Sequence, residues 1–225
     1  THWLNGSNKV VAYDLPSLVS PTLKWERIQT LDIGGDFGFF NNELNISFDW
    51  YQRTTKDMLA PGQTMPDVLG AGAPKINAGT LRTRGWELSI DWRHHFNEIN
   101  VYANASIGDF KTVITKWDND SQLLNENYSG KVYGDIWGFE TDRYFTKDDF
   151  NADGSYKEGI ASQKKLEQDG FVYGPGDIKF KDLNNDKEIN GGEGTVKDHG
   201  DLKVIGNTTP RYQYGFRLGG EWKGI

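Results

Sequence analysis

The stretch Trp86-Glu87-Leu88-Ser89-Ile90-Asp91-Trp92-Arg93 decides the fold class, because apolar and polar side chains alternate along it without a break. Successive side chains of a β-strand point to opposite faces, so this stretch predicts a strand with one apolar and one charged face. The same alternation recurs in residues 31–39, 44–53, 101–108 and 211–222. These segments together predict an all-β protein built from long antiparallel strands.

The connections between these segments alternate between short and long. Asn41-Asn42 and residues 95–98 predict tight turns, whereas residues 60–76 and 116–208 are long connections. Outer-membrane barrels have short turns on the periplasmic side and longer loops outside. We therefore predict an antiparallel transmembrane β-barrel segment over residues 1–225. Within it, residues 116–208 form a long, folded extracellular loop region.

The amino-acid composition agrees with such a barrel. Aromatic residues make up 13% of the chain while hydrophobic residues make up only 36%. Transmembrane barrels show this mixture because only one face of each strand meets lipid and aromatic rings gather at both interfaces. The aromatic residues near the predicted periplasmic ends are Phe37, Phe39, Phe40, Trp92, Phe96 and Trp222. Those near the outer ends are Trp25, Trp86 and Tyr212.

Several classes of protein are excluded by the same composition. A net charge of −7 argues against a nucleic-acid partner, since a phosphate-binding face needs clustered Lys and Arg. The absence of cysteine excludes disulfides and thiolate metal sites. No stretch approaches the about 18 apolar residues of a membrane helix. The sequence also lacks a GxSxG elbow, a P-loop and a GxGxxG motif, and we predict that the protein is not an enzyme.

Charged residues occupy the polar side of the predicted strands, where a water-filled or plugged lumen accommodates them. They are Asp32, Asp36, Asp49, Arg53, Glu87, Asp91, Arg93, Arg211, Arg217 and Glu221. We expect most of them to be structural, pairing across strands or contacting a plug.

Residues 182–193 carry oxygen-bearing side chains at the spacing of an EF-hand-type calcium loop. The candidate Ca²⁺ ligands are the side chains of Asp182, Asn184, Asp186 and Glu193, with the backbone carbonyl of Glu188. Lys187 stands where the pattern prefers glycine, so the turn is strained there or its geometry differs. A solvated acidic turn without metal is the alternative. Elsewhere in the loop region, residues 148–154 predict a turn and residues 157–168 a short helix.

The order of several motifs resembles the late barrel strands of the SusC/RagA family, the TonB-linked outer-membrane transporters of Bacteroidetes. The motifs are residues 21–26 with 35–42, 49–51 with 54–59, 77–79 with 84–88, 174–184, and 209–216. The resemblance implies a plugged barrel of about 22 strands in the bacterial outer membrane, of which this chain would be a late portion. The N-terminal plug, the TonB box and the terminal strand of the family pattern are not in this sequence, and we expect a fragment.

The resemblance also implies a function and partners. Family members import nutrients, usually oligosaccharides and in some cases peptides, with energy from the inner-membrane TonB complex. A SusD-like surface lipoprotein closes over the barrel, and outer-membrane lipid surrounds it. The alternative hypothesis is a soluble, calcium-dependent carbohydrate-binding β-sandwich. The two differ in the apolar face, which a sandwich buries against a second sheet and a barrel exposes to lipid.

Overall fold

The computed structural model describes residues 2–5, 8–11, 18–61, 73–119 and 121–223. Its strands are β1 (His2–Asn5), β2 (Asn8–Val11), β3 (Arg27–Phe39), β4 (Leu44–Pro61), β5 (Lys75–Phe96), β6 (Ile99–Lys116), β7 (Asp135–Phe139), β8 (Thr141–Tyr144), β9 (Ile178–Phe180), β10 (Leu202–Asn207) and β11 (Gln213–Trp222). Three antiparallel pairs, β1–β2, β7–β10 and β8–β9, accompany one five-stranded sheet. That sheet has the order β11-β6-β5-β4-β3, with every neighbouring pair antiparallel.

The five alternating segments are all strands of this sheet, as predicted, but most of the strands are longer than the alternation. Strand β5 has 22 residues and begins at Lys75, although its apolar-polar pattern starts only at Trp86. The ladder of backbone hydrogen bonds continues past the last apolar row, because that ladder does not depend on which side chains face lipid. The predicted loop 60–76 is correspondingly shorter, and residues 62–72 of it lie outside the described part of the chain.

Both predicted tight turns are confirmed. Asn41 and Asn42 join β3 to β4 with φ of 56° and 66°, and Asn97 helps join β5 to β6 with φ of 48°. Asparagine tolerates this left-handed conformation better than other residues with a side chain, because its short amide can bond locally to the backbone.

The register of the sheet separates its two faces. Residues paired across neighbouring strands lie on the same face, so each row of partners shares one environment. The outward rows are Ile33-Trp50-Trp86-Asp109, Gly35-Phe48-Leu88-Ile107-Tyr214, Phe37-Ile46-Ile90-Ala105-Phe216 and Phe39-Leu44-Trp92-Ala103-Leu218. The interior rows include Gly34-Asp49-Glu87-Gly108-Gln213, Asp36-Ser47-Ser89-Ser106-Gly215 and Gly38-Asn45-Asp91-Asn104-Arg217.

The apolar outward face is open. Phe37, Phe216 and Leu218 expose 55%, 72% and 65% of their surface, and the described residues place no second sheet over them. This contradicts the β-sandwich alternative, in which the same side chains would form the core. Among the described residues, no helix is long and apolar enough to cross a membrane.

Residues 117–212, here called the insertion, connect β6 to β11 and have a folded structure of their own. Backbone hydrogen bonds join it to the end of β6, from Ile114 to Lys131 and from Tyr133 to Thr112. The helix predicted over residues 157–168 is wrong, since only a 3₁₀ turn at Lys164–Leu166 forms. Gly159, with φ of 84°, departs from helical geometry, and the fully buried Gln163 bonds through its amide to β9 rather than facing solvent.

Candidate functional site

The interior face of the sheet carries carboxylates through its middle rows. Asp32, Asp36, Asp49, Glu87 and Asp91 follow one another on β3, β4 and β5 with no ion pair among the described residues. Two of these carboxylates accept neutral hydrogen bonds instead, Asp36 from Ser47 at 2.5 Å and Asp91 from Asn104 at 2.8 Å. The expected pairing of interior charges across strands is therefore absent from the described residues, and their contact with a plug stays a prediction.

Arginines lie toward the turn end of the same face. Arg217 is in the row of Asp91, and its guanidinium lies over the ring of Tyr102 at 5.6 Å. Tyr102 in turn lies across Gly219, where an added Cβ would meet the ring at 2.2 Å. A second tyrosine, Tyr51, lies across Gly85 in the same way, with 2.5 Å to an added Cβ. Glycine is required where an aromatic ring covers the backbone of the next strand.

Arg211 corrects one of the sequence predictions. It was expected on the interior face, but its guanidinium holds both carboxylate oxygens of Asp109, which is in the outward row of Trp86. Tyr212 has φ of 55°, so the chain is not extended there and strand alternation does not apply to Arg211. Asp109 was not singled out from the sequence, and the one available signal was its lone charge on an apolar face.

A small aromatic core organises the middle of the insertion. Phe145 packs against Phe150, Tyr156 and Tyr173 with ring centroids 5.1 to 6.4 Å apart. Beside it, the buried Asp149 accepts two hydrogen bonds from Arg143, at 2.6 and 2.7 Å. These bonds, with others from Thr146, hold the pKa of the Asp149 carboxyl well below its usual range. The turn predicted over residues 148–154 is confirmed and contains the backbone bond from Gly154 to Asn151.

Glu140 links two strand pairs of the insertion, β7–β10 and β8–β9. Its carboxylate accepts hydrogen bonds from Lys181, next to β9, at 2.6 Å and from Lys203 on β10. These two ammonium groups lower the pKa of Glu140 to about 2. The insertion is therefore held together across 63 residues of sequence by ionic bonds at its surface.

Several aromatic side chains of the insertion are largely exposed. Tyr133, Tyr144 and Phe171 expose 54%, 67% and 50% of their surface. Near them in sequence, Trp137 lines an open recess of about 510 Å³ together with Leu123, Lys131 and Asp135. An exposed ring can stack on the flat face of a ligand while neighbouring polar groups bond to its edge.

The predicted calcium ligands lie together on one tightly turning segment. Asp182 accepts backbone hydrogen bonds from Asn185 and Lys187, at 2.6 and 2.9 Å. Asn184 and Asp186 accept similar bonds two residues on, from the amides of Asp186 and Glu188. The oxygens of these side chains therefore bond to the amides of the turn, and their role as Ca²⁺ ligands stays a prediction.

The two remaining predicted ligands, Glu188 and Glu193, do not share this pattern of bonds to the turn. The Glu188 carbonyl accepts a bond from Asn190, its side chain pairs with Lys165 at 2.6 Å, and Glu193 is exposed. In the described part of the chain, no three His, Cys, Asp or Glu side chains meet as a metal site. Lys187 has φ of 66°, so it adopts the left-handed conformation that glycine usually supplies.

Asp201, which was not singled out from the sequence, holds this loop from behind. Its fully buried carboxylate accepts bonds from the amides of Leu183 at 2.7 Å and Asn190 at 3.0 Å. No sequence signal marks it, since Asp201 lies 18 residues from Leu183 and outside the motif. The loop therefore has a protein scaffold that keeps both of its ends in place.

Comparison with known proteins adds relatives to this geometry. A family model described as "TonB dependent receptor-like, beta-barrel" matches residues 5–222. TonB-dependent receptor P3 of Formosa agariphila is 29% identical over 228 residues, covering 94% of this chain and 20% of that protein. TonB-dependent receptor SusC of Bacteroides thetaiotaomicron is 27% identical over 217 residues, covering 88% and 19%. The chain thus spans about a fifth of the length of the curated relatives it matches.

Solved structures with the same fold come from RagAB complexes. The structure of the RagAB peptide importer in the "open-open" state aligns with a TM-score of 0.65 at 21% identity, covering 100% of this chain and 22% of that one. The structure of the RagAB peptide transporter aligns with a TM-score of 0.62, also at 21% identity and with 100% and 22% coverage. At this level of identity the similarity shows the fold alone.

Proposed function

The chain belongs to the TonB-dependent receptor β-barrel family, within its SusC/RagA group, and from that premise we propose that it forms part of the wall and outer vestibule of a nutrient importer. Receptors of this family reside in the bacterial outer membrane and are transporters rather than enzymes. The observation that carries the proposal is the two-faced sheet, because its apolar side is uncovered while the opposite side lines a charged interior.

We take the cargo to be an oligosaccharide. The support is the set of exposed rings on the insertion, Tyr133, Tyr144 and Phe171, since aromatic faces stack on sugar rings. A peptide is the second candidate. The interior carboxylates and arginines favour it, because a peptide carries charged termini and polar backbone groups that such side chains can bind. The similar RagAB structures are also those of a peptide transporter.

The import cycle needs partners outside this chain. A SusD-like lipoprotein would close over the insertion, and the TonB complex would supply energy through a plug inside the barrel. The folded insertion supports the first of these, since its exposed rings and its recess lie beyond the membrane rows where a lid would meet them.

Calcium at residues 182–193 is part of the same proposal, with the role of stiffening the outer loops. Asp182, Asn184 and Asp186 would supply side-chain oxygens, with the Glu188 carbonyl and Glu193 completing the set. The left-handed Lys187 and the scaffold provided by Asp201 support this assignment, because the loop backbone already turns as such a site requires.

Gene deletion in the native bacterium tests the transport role. We expect the deletion strain to lose growth on one oligosaccharide class while growing normally on the free monosaccharide, and full-length receptor to restore it. Loss of growth on peptides alone would replace the oligosaccharide by the second candidate. Normal growth on every oligomeric nutrient, with no uptake defect for labelled oligomers, would contradict an import function.

The exposed rings offer a sharper test of cargo. The double variant Tyr144→Ala/Phe171→Ala in the full-length receptor should weaken cargo binding about 30-fold, since each of the two stacking rings contributes about 1 kcal/mol. Val172→Ala, which changes an exposed neighbour that cannot stack, is the matched control. Equal binding by the double variant and the control would contradict a role for these rings.

A further inference from the structure

A group of cations lies on the outward face just beyond its apolar rows, at the end of the strands that carries the long loops. By register, Arg84 pairs with Gln52 and Lys111, one row beyond Trp50 and Trp86. The next outward rows carry Arg82 and Lys56. We call Lys56, Arg82, Arg84 and Lys111 the outer cationic belt.

The belt is not neutralised by the strands around it. Its members lie on β4, β5 and β6, and none of the four forms an ion pair within the described part of the chain. Arg84 bonds only to the neutral Gln52, at 2.8 Å. In a chain with a net charge of −7, four neighbouring cations without an ion pair among the described residues are unexpected.

Two carboxylates beside the belt already have cationic partners. Asp57 pairs with Arg27 at 2.7 Å, and Asp109 pairs with Arg211. The turn end of the same face is different, because Glu43 is 2.5 Å from His94 and Glu98 is 3.1 Å from Lys223. Among the described residues, cations without an ion pair therefore gather at the loop end of the outward face, whereas the charges named at its turn end are paired.

The depth of the belt follows from the strand geometry. From Trp86 to Phe96, β5 rises about 33 Å, and a strand tilted by about 40° carries this band through about 25 Å of membrane. Trp50 and Trp86 then mark the outer interface, where amphipathic rings collect. The belt lies one to three rows beyond them, at the level of the lipid head groups rather than of the acyl chains.

We propose that the outer cationic belt binds the phosphate groups of the phosphorylated glycolipid that forms the outer leaflet of the outer membrane. The belt continues the lipid-contacting surface, so a bound lipid places its acyl chains on the apolar rows and its phosphates on Arg82, Arg84 and Lys111. Arginine holds phosphate with two parallel hydrogen bonds, and lysine adds a point charge. The inference rests on the membrane assignment of the proposed function and not on its cargo.

The test uses purified full-length receptor in neutral detergent, titrated with the phosphorylated lipid anchor of lipopolysaccharide. We expect the triple variant Arg82→Gln/Arg84→Gln/Lys111→Gln to bind it at least about tenfold more weakly, since it removes three positive charges from the lipid phosphates. The matched control is Arg53→Gln/Arg93→Gln/Arg217→Gln, which removes the same charge from the interior face and should bind as the unaltered receptor does.

Further arms of the experiment separate a lipid site from a general anion site. The same lipid stripped of its phosphates should bind all receptors equally weakly, and millimolar inorganic phosphate should not displace the intact lipid. Arg82→Lys/Arg84→Lys, which keeps the charge, should retain most of the binding, and heat-modifiable gel mobility confirms that each barrel is folded.

Three results would overturn the proposal: equal binding by the outer and interior triple variants, full displacement by inorganic phosphate, or binding that ignores the lipid phosphates. None of these measurements depends on uptake. A negative lipid-binding result therefore does not contradict the transport proposal, and a negative uptake result does not contradict lipid binding.

Discussion

Arg211 binds Asp109 across 102 residues of sequence, with its guanidinium bonded to both oxygens of a carboxylate that is 9% exposed. The pair lies where β11 begins, directly after the insertion returns to the sheet. It therefore fastens the end of the insertion to the barrel wall and sets where β11 starts to pair with β6.

We predict that Arg211→Gln destabilises the barrel, because it leaves the nearly buried Asp109 carboxylate without its partner. An acceptor left unsatisfied in this way costs about 1–3 kcal/mol. The measurement is the urea midpoint of unfolding of the full-length receptor in detergent. Lys223→Gln is the control, because the pair of Lys223 with Glu98 is exposed on both sides and its loss should change the midpoint little. Equal midpoints for the two variants would show that the pair with Asp109 carries no stability.

Gly85→Ala should destabilise the sheet by about 1–3 kcal/mol through overpacking. A Cβ at this position would meet Tyr51 at 2.5 Å and the Cβ of Phe110 at 2.9 Å, and the second of these cannot move without the backbone. Gly220→Ala is the matched control in β11, where the nearest atom would be 3.5 Å away. The urea midpoint of unfolding again measures the stability of both variants. A Gly85→Ala receptor as stable as the control would contradict the close packing around Gly85.

Acid should open the insertion through Asp149. The pKa of this carboxyl is lowered in the folded state, so its stabilisation is present above the unfolded pKa of about 4 and is lost as pH falls below that value. Arg143→Gln removes the main cause of the low pKa, and it should weaken the insertion at neutral pH while flattening its response to acid. The rate of pepsin cleavage within residues 139–188 of the intact receptor, followed from about pH 5 to 2, measures this.

The conservative change Arg143→Lys keeps the positive charge beside Asp149 and serves as the control for it. It should restore much of the acid response but not the full resistance to pepsin, since lysine cannot reproduce the two parallel bonds to Asp149. Identical cleavage profiles for Arg143→Gln and the unaltered receptor would contradict a structural role for the pair.

For the calcium loop, Asp182→Ala should lower the metal content of the purified receptor and increase protease cleavage within residues 182–193. Lys187→Gly should act in the opposite direction, because it removes about 1 kcal/mol of left-handed strain at φ of 66°. Asp153→Ala, in the other acidic turn, is the control. Metal content that stays the same in Asp182→Ala would refute the site.

Much of the fold was predictable because its signals are local. The alternation in residues 86–93 assigns a face to each side chain, and the asparagines at residues 41 and 42 predict the turn from their own conformational preferences. The ends of the strands were not predictable, since β5 keeps its hydrogen bonds for eleven residues before its apolar pattern starts at Trp86. The helix expected over residues 157–168 failed for a related reason, because contacts of Gln163 with β9 override local propensity.

The sequence by itself determined that long strands have one apolar and one charged side and that short turns and long loops lie at opposite ends, because both follow from the order of neighbouring residues. Only the tertiary structure decided which charges find partners. Arg211 turned out to belong to Asp109, Asp201 to the loop at residues 182–193, and the outer cationic belt to no carboxylate among the described residues. Such pairings depend on which segments become neighbours in space, and the spacing of residues along the chain does not indicate which segments these are.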